Sequence, residues 1–221
     1  MKFCHIYGIP FTGLGLHQGF RGNVWLKNRI KIFSEFVLPS ILGQGSDFYT
    51  WFQWRAEEKT NPIVQAFQET LKGIEGLKPI HTFGGISMWD DKYSDKVASE
   101  RLMKSLEISL PELKEIVGDS EYVLLTLQPS DDMYLCDTAS RLKEIFTTLL
   151  EKDPDTKKAV GYKKGYIINL STKEIAEYNT DEWKTDKTST FHTDTIPPFF
   201  TILFSKDEFL DPQKHYIHIS R

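Results

Sequence analysis

One segment constrains the fold of this chain more than any other. Glu121–Leu127 reads Glu-Tyr-Val-Leu-Leu-Thr-Leu and is apolar at nearly every position after its polar first residue. A half-exposed strand would alternate apolar and polar residues, so this pattern predicts a strand that is buried on both faces. We therefore place it in the centre of a sheet with helices on both sides, which is the arrangement of a three-layer α/β domain.

Helical and strand patterns alternate along the rest of the chain, as this fold class requires. The clearest helix has one apolar stripe at helical spacing, made of Leu26, Ile30, Phe33, Val37 and Ile41. Pro39 lies within this pattern and should disturb its last turn. Asn61, which precedes Pro62, and Asp137 are predicted to cap two later helices.

The remaining expected elements are shorter. The strands are Phe3–Tyr7, Asp47–Trp54, Pro79–Phe83, Phe199–Phe204 and His215–Ile219; the helices are Ser94–Leu106, Ser109–Val117 and Thr138–Leu150; Tyr166–Leu170 and Glu174–Tyr178 form a hairpin.

Composition excludes several classes of protein. The 221 residues suit one large domain, residues 1–221, better than two. Hydrophobic residues make up 40% of the chain, which is enough for a core and excludes a mainly disordered state. Two cysteines exclude both a disulfide-rich scaffold and a four-cysteine zinc site. The net charge of −4 argues against nucleic acid as a partner.

The sequence contains no visible transmembrane or export segment. Its longest apolar runs, Pro197–Phe204 and Tyr122–Leu127, are far shorter than the roughly 20 residues of a helical span. We therefore expect a cytoplasmic protein with no transmembrane segment, while peripheral contact with a membrane stays open. The chain ends at Arg221 directly after its last strand candidate, which leaves open whether C-terminal elements of its relatives are missing.

A polar cluster follows the central strand directly. It reads Gln-Pro-Ser-Asp-Asp from Gln128 to Asp132, and open α/β sheets bind ligands outside the carboxyl ends of their strands. Two adjacent carboxylates need a cation partner, and a hard divalent ion would satisfy them and also bind a diphosphate. Asp131 and Asp132 are therefore candidate ligands for Mn²⁺ or Mg²⁺. The alternative is a solvated turn, because the same residue types favour turns.

Two blocks of the sequence resemble a family of rhamnosyltransferases. In the first, Arg21 and Asn23 match an Arg-Phe-Asn element, and the similarity continues through Trp25–Phe33, Leu38–Leu42, Gln44, Phe48 and Trp51. In the second, Ser130, Asp131 and Asp132 match the acidic stretch that carries the family's metal motif. The resemblance covers residues 20–60 and 120–150.

The resemblance implies a GT-A-like glycosyltransferase, which is a three-layer α/β/α sandwich with a mixed, mostly parallel central sheet. Such an enzyme moves a sugar, here rhamnose or another hexose, from a nucleotide-sugar donor to a hydroxyl of a glycan or other acceptor. Asp131 and Asp132 would hold the metal ion, and Arg21 and Asn23 would contact the nucleotide. Pro129 departs from the family pattern, because it stands where an acid is expected and its side chain cannot ligate a metal.

The end of the second strand supplies two more candidate substrate-binding residues, Trp54 and Arg55. Trp54 could stack on a base, although a strand tryptophan more often belongs to the core. In many GT-A proteins an acid near this strand end recognises the base or the ribose. The nearest acids here, Glu57 and Glu58, come a few residues late.

Two other charged residues were weighed by position. Asp194 lies in a polar loop before two prolines and is the candidate general base that would deprotonate the acceptor hydroxyl. Arg29 lies directly before the apolar Ile30, so we expect it to extend its stem over the core.

Two alternatives to catalysis remain at this stage. One is a catalytically inactive domain on the same fold that binds a nucleotide-sugar, which Pro129 favours. The other is a protein-interaction domain, which would present a broad exposed aromatic patch from Trp51, Phe52 and Trp54 in place of a cleft.

Overall fold

The computed structural model describes residues 1–12, 22–85, 107–154, 158–162, 164–179, 200–211 and 214. Two expected elements, the helix Ser94–Leu106 and the strand His215–Ile219, lie outside these ranges.

A six-stranded sheet forms the centre of the molecule, in the order β3-β2-β1-β4-β8-β5. Strands β3, β2, β1 and β4 run parallel, and β8 is antiparallel to both of its neighbours. The sheet is therefore mixed and mostly parallel, as expected for a GT-A-like domain. The strands are β1 (Phe3–Pro10), β2 (Tyr49–Arg55), β3 (Pro79–Gly85), β4 (Tyr122–Leu127), β5 (Lys158–Gly161) and β8 (Phe200–Ser205), and a separate hairpin pairs β6 (Lys164–Ile168) with β7 (Ile175–Asn179).

Helices connect these strands. They are α1 (Gly22–Ile32), α2 (Leu38–Leu42), α3 (Pro62–Lys72), α4 (107–117), α5 (Thr138–Lys152) and α6 (Lys206–Phe209), with a 3₁₀-helix at Ala56–Thr60. A π-helical stretch, Phe33–Val37, joins α1 to α2, and its hydrogen bond runs from the Leu38 N–H to the Phe33 carbonyl. The disturbance expected in the last turn thus lies one turn earlier, as the π-helical stretch, and Pro39 itself occupies the first turn of α2, where a missing N–H is tolerated.

The sheet is buried on both faces, which confirms the three layers predicted from the central strand. One face carries Tyr7 and Phe52, which pack against α1, α2 and α3, and Leu124, which packs against α5. On the other face, Val123 packs with Leu113 of α4.

Local capping matches the sequence at one helix and differs at another. The Asn61 side chain accepts a hydrogen bond from the Ile63 N–H at 3.0 Å and caps α3, as predicted. Asp137 makes no such bond. Its backbone is left-handed (φ 68°), whereas capping residues are usually extended. The Asp137 carboxylate accepts a hydrogen bond from Arg141 Nε at 2.9 Å.

Candidate functional site

The carboxyl ends of β1, β2 and β4 lie at one edge of the sheet because these strands are parallel neighbours. Ligands of open α/β sheets bind outside this edge. Two groups of polar side chains occupy it, and we name them by the nearest strand. The β2 cluster consists of Thr12, Gln53, Arg55 and Glu58, and the β4 cluster consists of Arg29, Gln128, Asp131 and Asp132.

Glu58 is the centre of the β2 cluster. It lies on the 3₁₀-helix directly after β2 and is 3% exposed. The Thr12 hydroxyl, just beyond β1, donates to Glu58 Oε2 and accepts from the Arg55 backbone N–H at 3.2 Å. A second bond, from the Thr12 N–H to the Gln53 carbonyl at 3.3 Å, ties the same two strand ends together. The short 3₁₀-helix thus turns an acid back into the strand edge.

Hydrogen-bonding capacity in the β2 cluster is only partly used. Within the described part of the chain, Glu58 Oε1, Arg55 Nη1 and Gln53 Oε1 are buried and have no hydrogen-bond partner. Burial raises the pKa of Glu58 above its usual value, while the bonds from Thr12 and the Arg55 backbone lower it. An unsatisfied buried group costs about 1–3 kcal/mol, so the three atoms make the β2 cluster a candidate place for further hydrogen bonds if they become accessible to a ligand.

The β4 cluster is organised around an ion pair. The Arg29 guanidinium, on α1, pairs with the Asp131 carboxylate after β4, and the Arg29 side chain is only 11% exposed. The guanidinium also lies over the Trp25 ring, 5.2 Å from its centroid. Burial raises the pKa of Asp132 to about 6, the negative charge of Asp131 adds to the rise, and Arg29 opposes it.

Internal hydrogen bonds hold the loop after β4 in place. Gln128 is fully buried, and its Nε2 donates to the Asp132 carbonyl at 2.6 Å and to the Pro129 carbonyl at 3.0 Å. The Tyr134 hydroxyl donates to the Leu127 carbonyl at 2.6 Å. The segment is a turn at Ser130 and Asp131 with Asp131 half exposed, as the alternative of a solvated turn predicted, and it is also held by these internal bonds.

Helix α1 spans the distance between the two clusters. Near its beginning, Asn23 Oδ1 accepts from Asn61 Nδ2 at 3.2 Å, at the start of α3 and close to Glu58. Arg29 is six residues further along α1, which corresponds to about 9 Å of helix. One helix therefore positions a polar side chain near each cluster.

The side chains of the β4 cluster fit a divalent ion poorly. Asp131 already has a cation partner in Arg29, and Asp132 is partly buried. In the described residues, no three or more His, Cys, Asp or Glu side chains are grouped so that they could hold a metal ion. Asp131 and Asp132 would offer two ligands at most, and one of them is charge-compensated.

The other predicted site residues differ in their placement. Arg55 lies in the β2 cluster, and Asn23 lies at the start of α1. Trp54 is fully buried; its ring stacks on Phe11 at 4.7 Å, and its Nε1 donates to His81 Nδ1 at 3.0 Å. Base stacking would require Trp54 to leave the core. Arg21 and Asp194 lie outside the described residues.

The expected aromatic patch of an interaction domain is absent from this part of the molecule, because Trp51, Phe52 and Trp54 are each at most 2% exposed. Sequence reasoning also missed the role of Arg29, whose guanidinium forms an ion pair at the sheet edge and does not merely cover the core. Its helical position gave no hint of this, since Asp131 is remote in sequence.

Comparisons with known proteins add little to this geometry. No protein-family model and no curated protein matches the chain, so the more specific resemblance to rhamnosyltransferases has no independent support. A similar solved structure is the crystal structure of S. aureus TarS 1-349. It is 16% identical, and the match covers 72% of this chain and 34% of that one. The TM-score of 0.31 is too low to carry an argument about this chain. Among the described helices, none is long and apolar enough to cross a bilayer.

Proposed function

We propose that this chain is a glycosyltransferase that binds a nucleotide-sugar at the carboxyl edge of its sheet and transfers the sugar to an acceptor hydroxyl. The observation that carries the proposal is the buried Glu58 carboxylate between the ends of β1 and β2. Its Oε1 lacks a partner in the described residues. Hydroxyl groups of a ribose, or an N–H of a base, would donate to such an oxygen.

The β4 cluster complements this assignment on the phosphate side. A guanidinium can bind two phosphate oxygens at once, and Arg29 is held at the edge by Asp131. Helix α1 carries a neutral polar side chain, Asn23, and a cationic one, Arg29, about 9 Å apart along its axis. In a nucleotide-sugar the anionic diphosphate lies between the nucleoside and the sugar, so Arg29 would contact the middle of the donor.

The transfer step itself needs a general base for the acceptor hydroxyl, and Asp194 remains our candidate by position. We assign the transferred sugar only to a class, rhamnose or another hexose. The acceptor is likewise assigned only to a class, a glycan or another compound with a free hydroxyl. Because the donor set of Asp131 and Asp132 fits Mn²⁺ or Mg²⁺ poorly, no step of the proposal passes through a metal ion.

One observation favours the second candidate, a catalytically inactive domain that binds a nucleotide-sugar. Pro129 replaces an expected acid, and Asp131 is neutralised by Arg29. This edge therefore keeps features suited to binding while lacking part of the acidic motif that the resemblance associates with catalysis. Binding of a donor without its turnover would establish this second candidate.

The test is thermal unfolding with a panel of nucleoside diphosphates. A ligand at about 100 times its Kd adds about 2.7 kcal/mol of stability, which a melt resolves. We expect one nucleotide to stabilise the wild type, and Glu58→Gln to lose most of this shift relative to its own ligand-free melt. Glu69→Gln is the control, because this carboxylate on α3 is 71% exposed and pairs with Lys72, outside both clusters. Equal shifts in both variants, or no shift with any nucleotide, would contradict the proposal.

A further inference from the structure

We infer that the β4 cluster binds a diphosphate without a divalent ion, because Arg29 supplies the positive charge and Asp131 holds its guanidinium in place. This inference rests on the proposed function and specifies how its phosphate site works. Arg29 is a binding residue in this account, and Asp131 is a positioning residue.

The first argument concerns charge. A divalent ion between carboxylates and a diphosphate neutralises both partners and bridges them. Here the Asp131 carboxylate is already paired with a cation, the Arg29 guanidinium. A metal ion that displaced Arg29 would leave an almost buried guanidinium without its counter-ion, and an uncompensated charge in such a position is strongly unfavourable.

The second argument concerns geometry. Arg29 Nη1 contacts Asp131, and Arg29 Cζ lies over the Trp25 ring, 5.2 Å from its centroid. The carboxylate and the aromatic ring together restrict where the guanidinium can move. A guanidinium has five N–H donors, so one pairing with Asp131 leaves donors for phosphate oxygens.

The third argument concerns the missing acid. Pro129 occupies the position of the first acid in the motif that this loop resembles. Losing one carboxylate lowers the negative charge that a divalent ion would have to balance. With Pro129 in place of an acid and Asp131 paired with Arg29, this loop lacks a second unpaired carboxylate beside Asp131 at position 129 for a divalent ion.

Two probes test the inference in the whole chain, pyrophosphate and Mn²⁺ alone. Pyrophosphate binding is measured by calorimetry in EDTA and again in Mn²⁺. We expect the wild type to bind in EDTA and to bind no more tightly in Mn²⁺, since Mn²⁺ itself chelates pyrophosphate. Arg29→Gln should bind at least about tenfold more weakly in EDTA, the loss typical of one charge-assisted hydrogen bond. Lys27→Gln, which removes an exposed cation from the same helix, should bind like the wild type.

A variant that keeps the charge separates binding from folding. Arg29→Lys retains a cation but not the planar fork, so its Kd should lie between those of the wild type and Arg29→Gln. Circular dichroism of all variants checks that the fold is intact. If Arg29→Lys and Arg29→Gln bind pyrophosphate as tightly as the wild type, the inference is wrong.

The Mn²⁺ titration is independent of any nucleotide. We expect no Mn²⁺ site in the wild type that Asp131→Asn removes. Such a site, or pyrophosphate binding that needs Mn²⁺, would overturn the inference while leaving the proposed function in place. Failure of every nucleoside diphosphate to bind in either buffer would instead overturn the proposed function, and the inference with it.

Discussion

The two clusters at the carboxyl edge use carboxylates in opposite ways. Glu58, after β2, is buried and receives its bonds from neutral groups, the Thr12 hydroxyl and a backbone N–H. Asp131, after β4, is half exposed and faces a full positive charge on Arg29. Glu58 forms no ion pair among the described residues, although the charge of Arg55 in the same cluster favours its ionised form. Its unpaired oxygen is therefore suited to neutral donors, whereas the Arg29–Asp131 pair presents a cation that an anion can share. Equivalent positions on neighbouring parallel strands can therefore carry different chemistry.

The largest expected effect comes from the core beneath the β2 cluster. Trp54→Ala should destabilise the protein by about 3–5 kcal/mol, because it leaves a large cavity among buried aromatic rings. Urea unfolding measures this change. A loss below about 1 kcal/mol would mean that Trp54 is accessible in solution, and base stacking would return as its role.

The next effect concerns the loop of the β4 cluster. Gln128→Leu removes both bonds from Nε2 and leaves two partly buried carbonyls without this donor, so we expect a loss of about 1–3 kcal/mol. Met133→Ala, at an exposed position of the same loop, is the control. Equal stability of the two variants in urea would show that the loop is not held by Gln128.

Asp131→Asn should have a smaller effect, about 1 kcal/mol or less, because half of this carboxylate faces water. The substitution should still destabilise the protein at neutral pH, because Arg29 loses its counter-charge. Unfolding at low and high salt provides the check, because added salt screens the pair and should reduce the difference. A salt-independent difference would contradict the ion-pair account.

The smallest expected effect, that of Glu58→Gln, should be a gain in stability and not a loss. The pKa of Glu58 is raised in the folded state, so its contribution to stability is greatest below the unfolded pKa and is lost as the pH rises through the folded pKa. Glu58→Gln removes this penalty and should be slightly more stable than the wild type at neutral pH. The two proteins should converge as the pH falls towards about 4.3.

Thermal melts across this pH range measure the difference. If Glu58→Gln is less stable than the wild type at neutral pH, the attraction between the Glu58 carboxylate and Arg55 outweighs the cost of burying the charge. The contrast between the two clusters would then disappear.

The centre of the fold was predictable from sequence because its signals are local. An unbroken apolar strand requires cover on both faces, which fixed β4 inside the sheet and predicted helices on both sides. The cap at Asn61 was predictable for the same reason, since it depends on residues two positions apart. The cap at Asp137 was not, because the left-handed backbone of that residue depends on how the preceding loop closes.

The site was harder to predict because its partners are distant along the chain. Asp131 was identified from its strand end, but its pairing with Arg29 depends on the path of α1 across the sheet edge. Glu58 was set aside because it comes late after β2, and only the 3₁₀-helix brings it back to Thr12. The spacing of residues within one segment of the sequence does not predict either contact.

The π-helical stretch has a consequence for how this chain can change in length. A π-helical turn contains one residue more than an α-helical turn, so Phe33–Val37 absorbs an extra residue without rotating the flanking helices. Deleting one residue within the stretch would restore a plain α-helix and leave Arg29 facing Asp131. Deleting one residue between Arg29 and Phe33 would rotate Arg29 by about 100° away from its partner. Gains and losses of single residues are therefore tolerated at one point of this helix and harmful a single turn earlier.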